Sequence, residues 1–130
     1  MKYYQLFIDT ANNFETHNSV TKLLDIQPTE MEKDNNSAER YSSWMHMVTE
    51  TESDPNFDFI NSFLDLLEPA FADLEKLGVT KDKISFWMLY EYDQQCGMEF
   101  HPQEMTRLGQ SGIHLNIDCW AENNEKSIRT

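Results

Sequence analysis

The segment FINSFLDLLEPAFADLEKLG, residues 59–78, carries the strongest structural signal in the chain. Its apolar residues recur at the three- and four-residue spacing of one helix face, and its acidic residues fall mainly on the other side. Pro69 interrupts the pattern, because proline lacks the amide hydrogen that a helix interior needs. The segment therefore predicts a long helix with a kink, or two abutting helices, ending at Gly78.

Strand-like segments lie on both sides of this helix. Residues 3–10 and 40–49 precede it, and residues 83–93 and 112–120 follow it. Large apolar side chains occupy both alternating faces of 83–93, which is typical of a central strand. Residues 98–100 are predicted to add a short edge strand after a turn.

Two shorter helices complete the pattern. The first is predicted to start at a cap on Asn18 or Ser19 and to end before Pro28, and the second opens at Pro102. The expected fold class is α+β, with a single-layer mixed or antiparallel sheet of four to five strands packed against a long helix and two short helices. We expect one globular domain over residues 1–120 and a polar C-terminal tail over 121–130.

The composition favours a globular protein that remains in the cytoplasm. No segment resembles a signal peptide or reaches the length of about 20 apolar residues that a membrane span needs. The two cysteines, Cys96 and Cys119, are far apart in sequence and form no CxxC pattern. We expect them to be reduced thiols.

The charge balance is strongly acidic. Ten Lys and Arg residues face 23 Asp and Glu residues, which gives a formal net charge of −13. Such a field repels phosphates and anionic membranes, so neither nucleic acid nor a membrane is an expected partner. It attracts a basic protein and accelerates the encounter. The alternative is that the charge serves only solubility.

Acidic residues concentrate in two predicted loops that flank the second strand. If both loops lie on the same side of the protein, they form a negative surface, and the aromatic and methionine residues of the strand supply apolar anchors. The alternative is that both loops are merely solvated and that Trp44 belongs to the core. The candidate partner-binding residues are Glu30, Glu32, Asp34, Glu39, Trp44, Glu50, Glu52 and Asp54.

No catalytic or cofactor motif is evident. The glycines match no phosphate-binding loop, and no His is paired with another His or Cys at helical spacing, so no metal and no cofactor are predicted. Cys96, His101, His114 and Cys119 lie in the C-terminal third, and a site assembled from them in space is the alternative, as a small enzyme or a metal-binding protein.

The order of the motifs resembles a known family. A helix reading VTKLLDIQPT (20–29) leads through a polar loop to YSSW (41–44), and after the Leu-rich helix and an aromatic strand follow HPQEMTRLGQSG (101–112) and LNIDCW (115–120). This is similar to the small bacterial proteins of the domain-of-unknown-function 4279 family. The resemblance implies a fold but no catalytic residues.

Size and charge alone also resemble the immunity proteins that neutralise bacterial toxins. We therefore expect a non-enzymatic, acidic protein-binding module, most simply an immunity or inhibitor protein for a basic partner such as a toxin nuclease. A variant of this expectation is an acidic mimic of nucleic acid. The oligomeric state is expected to be a monomer or a weak dimer.

Overall fold

The computed structural model describes residues 1–30, 38–53 and 56–122. Four strands form one mixed sheet: β1 (Lys2–Asp9), β2 (Ser43–Thr49), β3 (Ile84–Tyr92) and β4 (His114–Ala121). The helices are α1 (Phe14–Leu24), α2 (Phe59–Leu67), α3 (Phe71–Lys76) and α4 (Pro102–Ser111). Short 3₁₀ turns cover Glu68–Ala70 and Lys81–Lys83.

The strand order is β2-β1-β3-β4. β1 pairs antiparallel with β2 and with β3, whereas β3 and β4 are parallel and are connected through α4. The predicted α+β class and mixed sheet are confirmed, and residues 83–93 do contain a central strand. The sheet has four strands in the described part of the chain, however, because residues 98–100 are not a strand and half-buried Met98 and Phe100 pack against the core instead.

The predicted long helix is two helices with a 3₁₀ turn between them. Pro69 occupies this turn, which is the interruption that its missing amide hydrogen predicts. Asp58 caps α2 by accepting a hydrogen bond from the Asn61 amide at 3.3 Å, and Gly78 follows α3 with a φ of 86°. The Asp-Pro pair at 54–55 also predicts a helix start, but both residues lie outside the described ones, and α2 begins at Phe59.

The first helix begins earlier than the sequence indicated. Asn13, rather than Asn18 or Ser19, caps α1, because its side-chain oxygen accepts a hydrogen bond from the Thr16 amide at 3.0 Å. Asp25 ends the helix in the left-handed conformation, with a φ of 54°. The helix therefore gains a polar first turn that carries little hydrophobic periodicity.

The core lies between the helices and one face of the sheet. The sheet contributes alternate residues, such as Leu6, Trp44 and Phe86, each of them fully buried. The helices contribute apolar side chains that pack on these residues, as Phe63 does with its ring centroid 5.4 Å from that of Phe86. Every strand residue in the core, or packed against it, has its side chain on this face.

Candidate docking face on the sheet

The other face of the sheet has no layer of described residues over it. None of the residues that alternate with the core residues on β1, β2 and β3 is fully buried, and none of them belongs to the hydrophobic core or packs against it. The strand register brings the apolar ones together in the centre of this face. The large side chains there are Tyr3, Phe7, Met45, Met47, Trp87 and Leu89. We call this surface the open face.

Cross-strand rows define the layout of the open face. Gln5 lies between Met47 on β2 and Trp87 on β3, and Phe7 lies between Met45 and Ser85 in the neighbouring row. Such rows place side chains about 5 Å from one another. Aromatic and thioether groups therefore extend across three strands of the open face, with Gln5 and Ser85 among them.

Polar atoms on the open face bind one another. The Gln5 amide nitrogen donates to the Met45 sulfur at 3.0 Å, and the Trp87 indole nitrogen donates to the Ser85 hydroxyl at 3.0 Å. Because these hydrogen bonds stay within the sheet, they hold the side chains in place without a covering layer. The surface is thus preorganised for apolar contact.

The rim of the open face is acidic. Asp9 ends β1, Glu91 lies near the end of β3, and Asp118 lies on β4 beside Leu89. Trp120 stands next to Glu91 and donates its indole hydrogen to that carboxylate at 3.2 Å. No Lys or Arg occurs among the strand residues whose side chains point to this face.

The predicted acidic surface is not a single patch. Glu39 precedes β2 and Glu50 follows it, so the two loops lie at opposite ends of a seven-residue strand, roughly 20 Å apart. Exposed Glu30 lies near the first end, and exposed Glu52 near the second; Glu50 is half-buried, 3.8 Å from the Met1 ammonium nitrogen. Glu32, Asp34 and Asp54 lie outside the described residues.

The structure also corrects the role of Trp44. This side chain is fully buried, and its indole nitrogen donates to the Thr21 hydroxyl at 3.0 Å. It lies on the core side of β2, so it is not available as a surface anchor. Its neighbours Met45 and Met47, which the sequence also offered as anchors, lie on the open face. Strand parity explains the difference, because successive residues point to opposite faces.

The four residues of the alternative His and Cys site do not all come together in the described part of the chain. His114 and Cys119 are at different ends of β4 and on opposite faces of the sheet. No group of three or more His, Cys, Asp or Glu residues is arranged there to hold a metal ion. Partial desolvation raises the pKa of the Cys119 thiol, and nearby Cys96 and Asp118 raise it further. A raised pKa makes a thiol a weaker nucleophile at neutral pH.

A cleft of about 610 Å³ opens beside the starts of α2 and α4. Several of its polar side chains already have structural partners. Lys2 donates to the Asn56 side chain at 3.2 Å, Asp58 caps α2, and Glu104 accepts a hydrogen bond from the His101 amide at 2.6 Å. The cleft therefore shows helix caps and aromatic walls and no pairing of a nucleophile with a base.

Tyr3, Phe7, Trp87 and Leu89 were not among the sequence-based candidates. The signal for two of them was present, because residues 83–93 have large apolar groups on both alternating faces. This pattern was interpreted as a strand covered on both sides. Comparing the number of predicted helices with the two faces of the sheet would have suggested the alternative, in which one apolar face stays uncovered.

The fold and this face define a class: small α+β proteins in which helices cover one side of a four-stranded mixed sheet and the other side presents an apolar face with an acidic rim. A family model described as "Domain of unknown function (DUF4279)" matches residues 8–122, and the chain belongs to this family. The resemblance seen in the sequence is thus confirmed for the family.

No curated protein and no solved structure matches the chain significantly. The similarity to immunity proteins therefore stays a prediction. In the described part of the chain, no helix combines the length and the apolar character that crossing a bilayer requires.

Proposed function

We propose that this protein is an acidic protein-binding module that docks a basic partner on its open face. One observation carries the proposal: the sheet presents a surface rich in aromatic and methionine side chains that no described residue covers, with the carboxylates of Asp9, Glu91 and Asp118 on its rim. Apolar surfaces that lack a covering layer are uncommon on proteins that bind nothing. Aromatic residues and methionine are also the types enriched at protein interfaces.

The charge supports the choice of a basic partner. The net charge of −13 produces a long-range attraction for cationic proteins, and the rim carboxylates Asp9, Glu91 and Asp118 orient the partner near the face. The apolar centre, with Trp87 and Leu89, then supplies the affinity, because desolvated aromatic anchors dominate binding energy.

The finer form of the proposal is an immunity or inhibitor protein that neutralises a basic toxin such as a nuclease, acting in the cytoplasm. It is supported by the small size and the acidic charge. An inhibitor needs no catalytic groups of its own, and it acts by occupying a surface that its partner uses.

The experiment compares three tagged proteins as bait in lysate of the native cell: wild type, Leu89→Lys and Leu77→Lys. Leu89 lies on the open face, whereas Leu77 is an exposed leucine at the end of α3. Both variants add the same charge, but only Leu89→Lys buries an ammonium group under a docked partner. We expect wild type and Leu77→Lys to retain one basic protein that Leu89→Lys loses.

The purified complex then permits a test of mechanism. The association rate should fall as salt rises, because screening weakens attraction between opposite charges. Retention of the same protein by Leu89→Lys, or capture of no basic protein by wild type, contradicts the proposal. If the retained protein is a toxin, wild type should inhibit its activity, and Leu89→Lys should leave that activity unchanged.

A further inference from the structure

The two edge strands of the sheet, β2 and β4, differ in how their outward backbone groups are covered. At the β2 edge, Thr29 covers the strand: its amide donates to the Met45 carbonyl at 2.7 Å, and its hydroxyl accepts from the Met47 amide at 3.1 Å. An exposed strand edge invites pairing with another chain, and natural proteins usually cover it in this way. The β2 edge is therefore protected at its centre.

The β4 edge has no such cover among residues 1–30, 38–53 and 56–122. The Glu122 amide donates to the Tyr92 carbonyl at 2.8 Å, which continues the parallel ladder beyond β4 and shows that even-numbered residues direct their backbone groups at β3. Since backbone direction alternates, the odd-numbered residues direct theirs outward. These residues are Leu115, Ile117, Cys119 and Ala121.

β4 has few of the features that prevent edge pairing, and Asp118 is its single acidic or basic residue apart from His114. Its sequence, HLNIDCWA, contains no Pro, Lys or Arg, and it is eight residues long. Two of its large apolar side chains are exposed, Ile117 at 42% and Trp120 at 38%. The strand is thus long and apolar on its core side, and no described residue covers its outward backbone groups.

We propose that β4 of one copy pairs antiparallel with β4 of a second copy, with the two-fold axis at Ile117. In this register the outward groups of Leu115 face those of Cys119 in the second copy, and Ile117 faces its own counterpart. These three facing pairs form about six backbone hydrogen bonds. The two sheets join into one sheet of eight strands.

In this register, the side chains of β4 face complementary side chains on β4 of the second copy. On the core side, Ile117 meets its counterpart and Leu115 meets Cys119, so apolar groups face apolar groups. On the open face, Asn116 meets Asp118, so an amide donor faces a carboxylate. A two-fold interface requires this kind of self-complementarity, because each contact occurs twice.

The neighbouring register is less favourable. Moving the axis by one residue, to Asp118, pairs all four outward residues but places the two Asp118 carboxylates directly opposite each other. Like charges in facing positions destabilise a strand pair. Asp118 therefore selects the register with its axis at Ile117.

Salt distinguishes this interface from the proposed docking of a basic partner. Two copies each carry −13, so they repel, and screening by salt should tighten the dimer. Binding of a basic partner has the opposite dependence. The two proposals can thus fail independently.

The test is sedimentation of the full-length protein over a concentration series at low and high salt. We expect wild type to move from the monomer toward the dimer mass as concentration rises, with a smaller dissociation constant at high salt. Ile117→Lys places two ammonium groups on the axis and should weaken the dimer at least about tenfold. Leu77→Lys adds the same charge away from β4 and should behave as wild type.

A second variant tests the register. Asn116→Asp should weaken the dimer several-fold at low salt, because it faces Asp118; with the axis at Asp118 it would face Trp120 and have little effect. Hydrogen exchange on wild type supplies a readout that does not depend on variants: the amides of Leu115, Ile117 and Cys119 should become protected as concentration rises. A monomer at every concentration, or a dimer that Ile117→Lys leaves intact, overturns the proposal.

Discussion

At the residue scale, Trp44 shows how a single hydrogen bond assigns a side chain to the core. Its ring is fully buried between the sheet and α1, and the indole hydrogen needs an acceptor there because water cannot reach it. Thr21 supplies that acceptor at 3.0 Å. The pair links the second strand to the first helix.

Replacing Thr21 tests this link. Thr21→Val keeps the shape but leaves the Trp44 indole hydrogen without its acceptor, so the free energy of unfolding should fall by about 1–3 kcal/mol. Thr21→Ser keeps the hydroxyl and should lose much less. Denaturation by urea measures both. Equal stability of Thr21→Val and Thr21→Ser would show that the hydrogen bond contributes nothing.

Two half-buried histidines predict a pH dependence. Burial lowers the pKa of His46, whose ring also packs against Phe63, and it lowers the pKa of His17. The ordinary value for both is 6.5, and desolvation of the charged ring is the largest cause of each decrease. The unfolded chain therefore binds protons more strongly than the folded protein.

The free energy of unfolding should accordingly decrease as the pH falls below about 6.5, toward the lowered folded-state pKa values. Both rings remain partly exposed to water, so we expect each histidine to contribute a small loss. The free energy of unfolding of His46→Gln should decrease less than that of wild type as the pH falls. Above about pH 7.5, where both histidines are neutral, the difference in free energy of unfolding between the two proteins should not depend on pH. Urea denaturation at several pH values measures this, and an unchanged slope in His46→Gln would contradict it.

At the element scale, Arg107 joins α4 to α2 and to the turn that follows it. Its guanidinium donates to Asp65 at 2.7 Å, to Glu68 at 2.9 Å and to the Asn61 side chain at 2.9 Å. The two carboxylates raise the pKa of Arg107. The planar guanidinium of Arg107 thus donates hydrogen bonds to three acceptors, which lie on α2 and in the turn at Pro69.

Arg107→Ala should lower the free energy of unfolding by about 1 kcal/mol at low salt, because each pair is partly exposed but several hydrogen bonds are lost together. Arg107→Lys keeps the charge but lacks the planar guanidinium donors, so its free energy of unfolding should lie between those of Arg107→Ala and wild type. Thermal unfolding at low and high salt measures the order. Identical melting temperatures for the three proteins would exclude a stabilising role for the guanidinium.

At the scale of the whole molecule, the helices gather on one side of the sheet. The described helices share that side with the strand residues that belong to the core or pack against it, so the opposite side receives no cover from them. This arrangement produces the open face, whose acidic rim we propose to guide a basic partner.

Neutralising the rim should affect association more than dissociation. The triple variant Asp9→Asn, Glu91→Gln and Asp118→Asn should lower the association rate with the captured partner about tenfold at low salt, with a shallower salt dependence. A control with the same change in charge, Glu15→Gln, Asp73→Asn and Glu75→Gln, lies on α1 and α3 and should have a smaller effect. Stopped-flow kinetics measures both, and equal effects of the two triples would contradict a specific role of the rim.

The amino-acid sequence by itself determined the features that depend on neighbours along the chain. The helical periodicity of residues 59–78, its interruption at Pro69 and the alternation of residues 83–93 each follow from local geometry, and the acidic charge follows from composition. The family resemblance was also visible at this level. These signals were sufficient for the α+β class.

Only the tertiary structure decided which sheet face the helices cover, and hence that Trp44 is buried while Trp87 lies on the open face. It also decided that the acidic loops lie at opposite ends of β2 and that β4 occupies an edge beside β3. The physical reason is that strand order and helix placement arise from contacts between residues far apart in sequence. A periodic pattern shows that a segment has two faces, but not what packs against each of them.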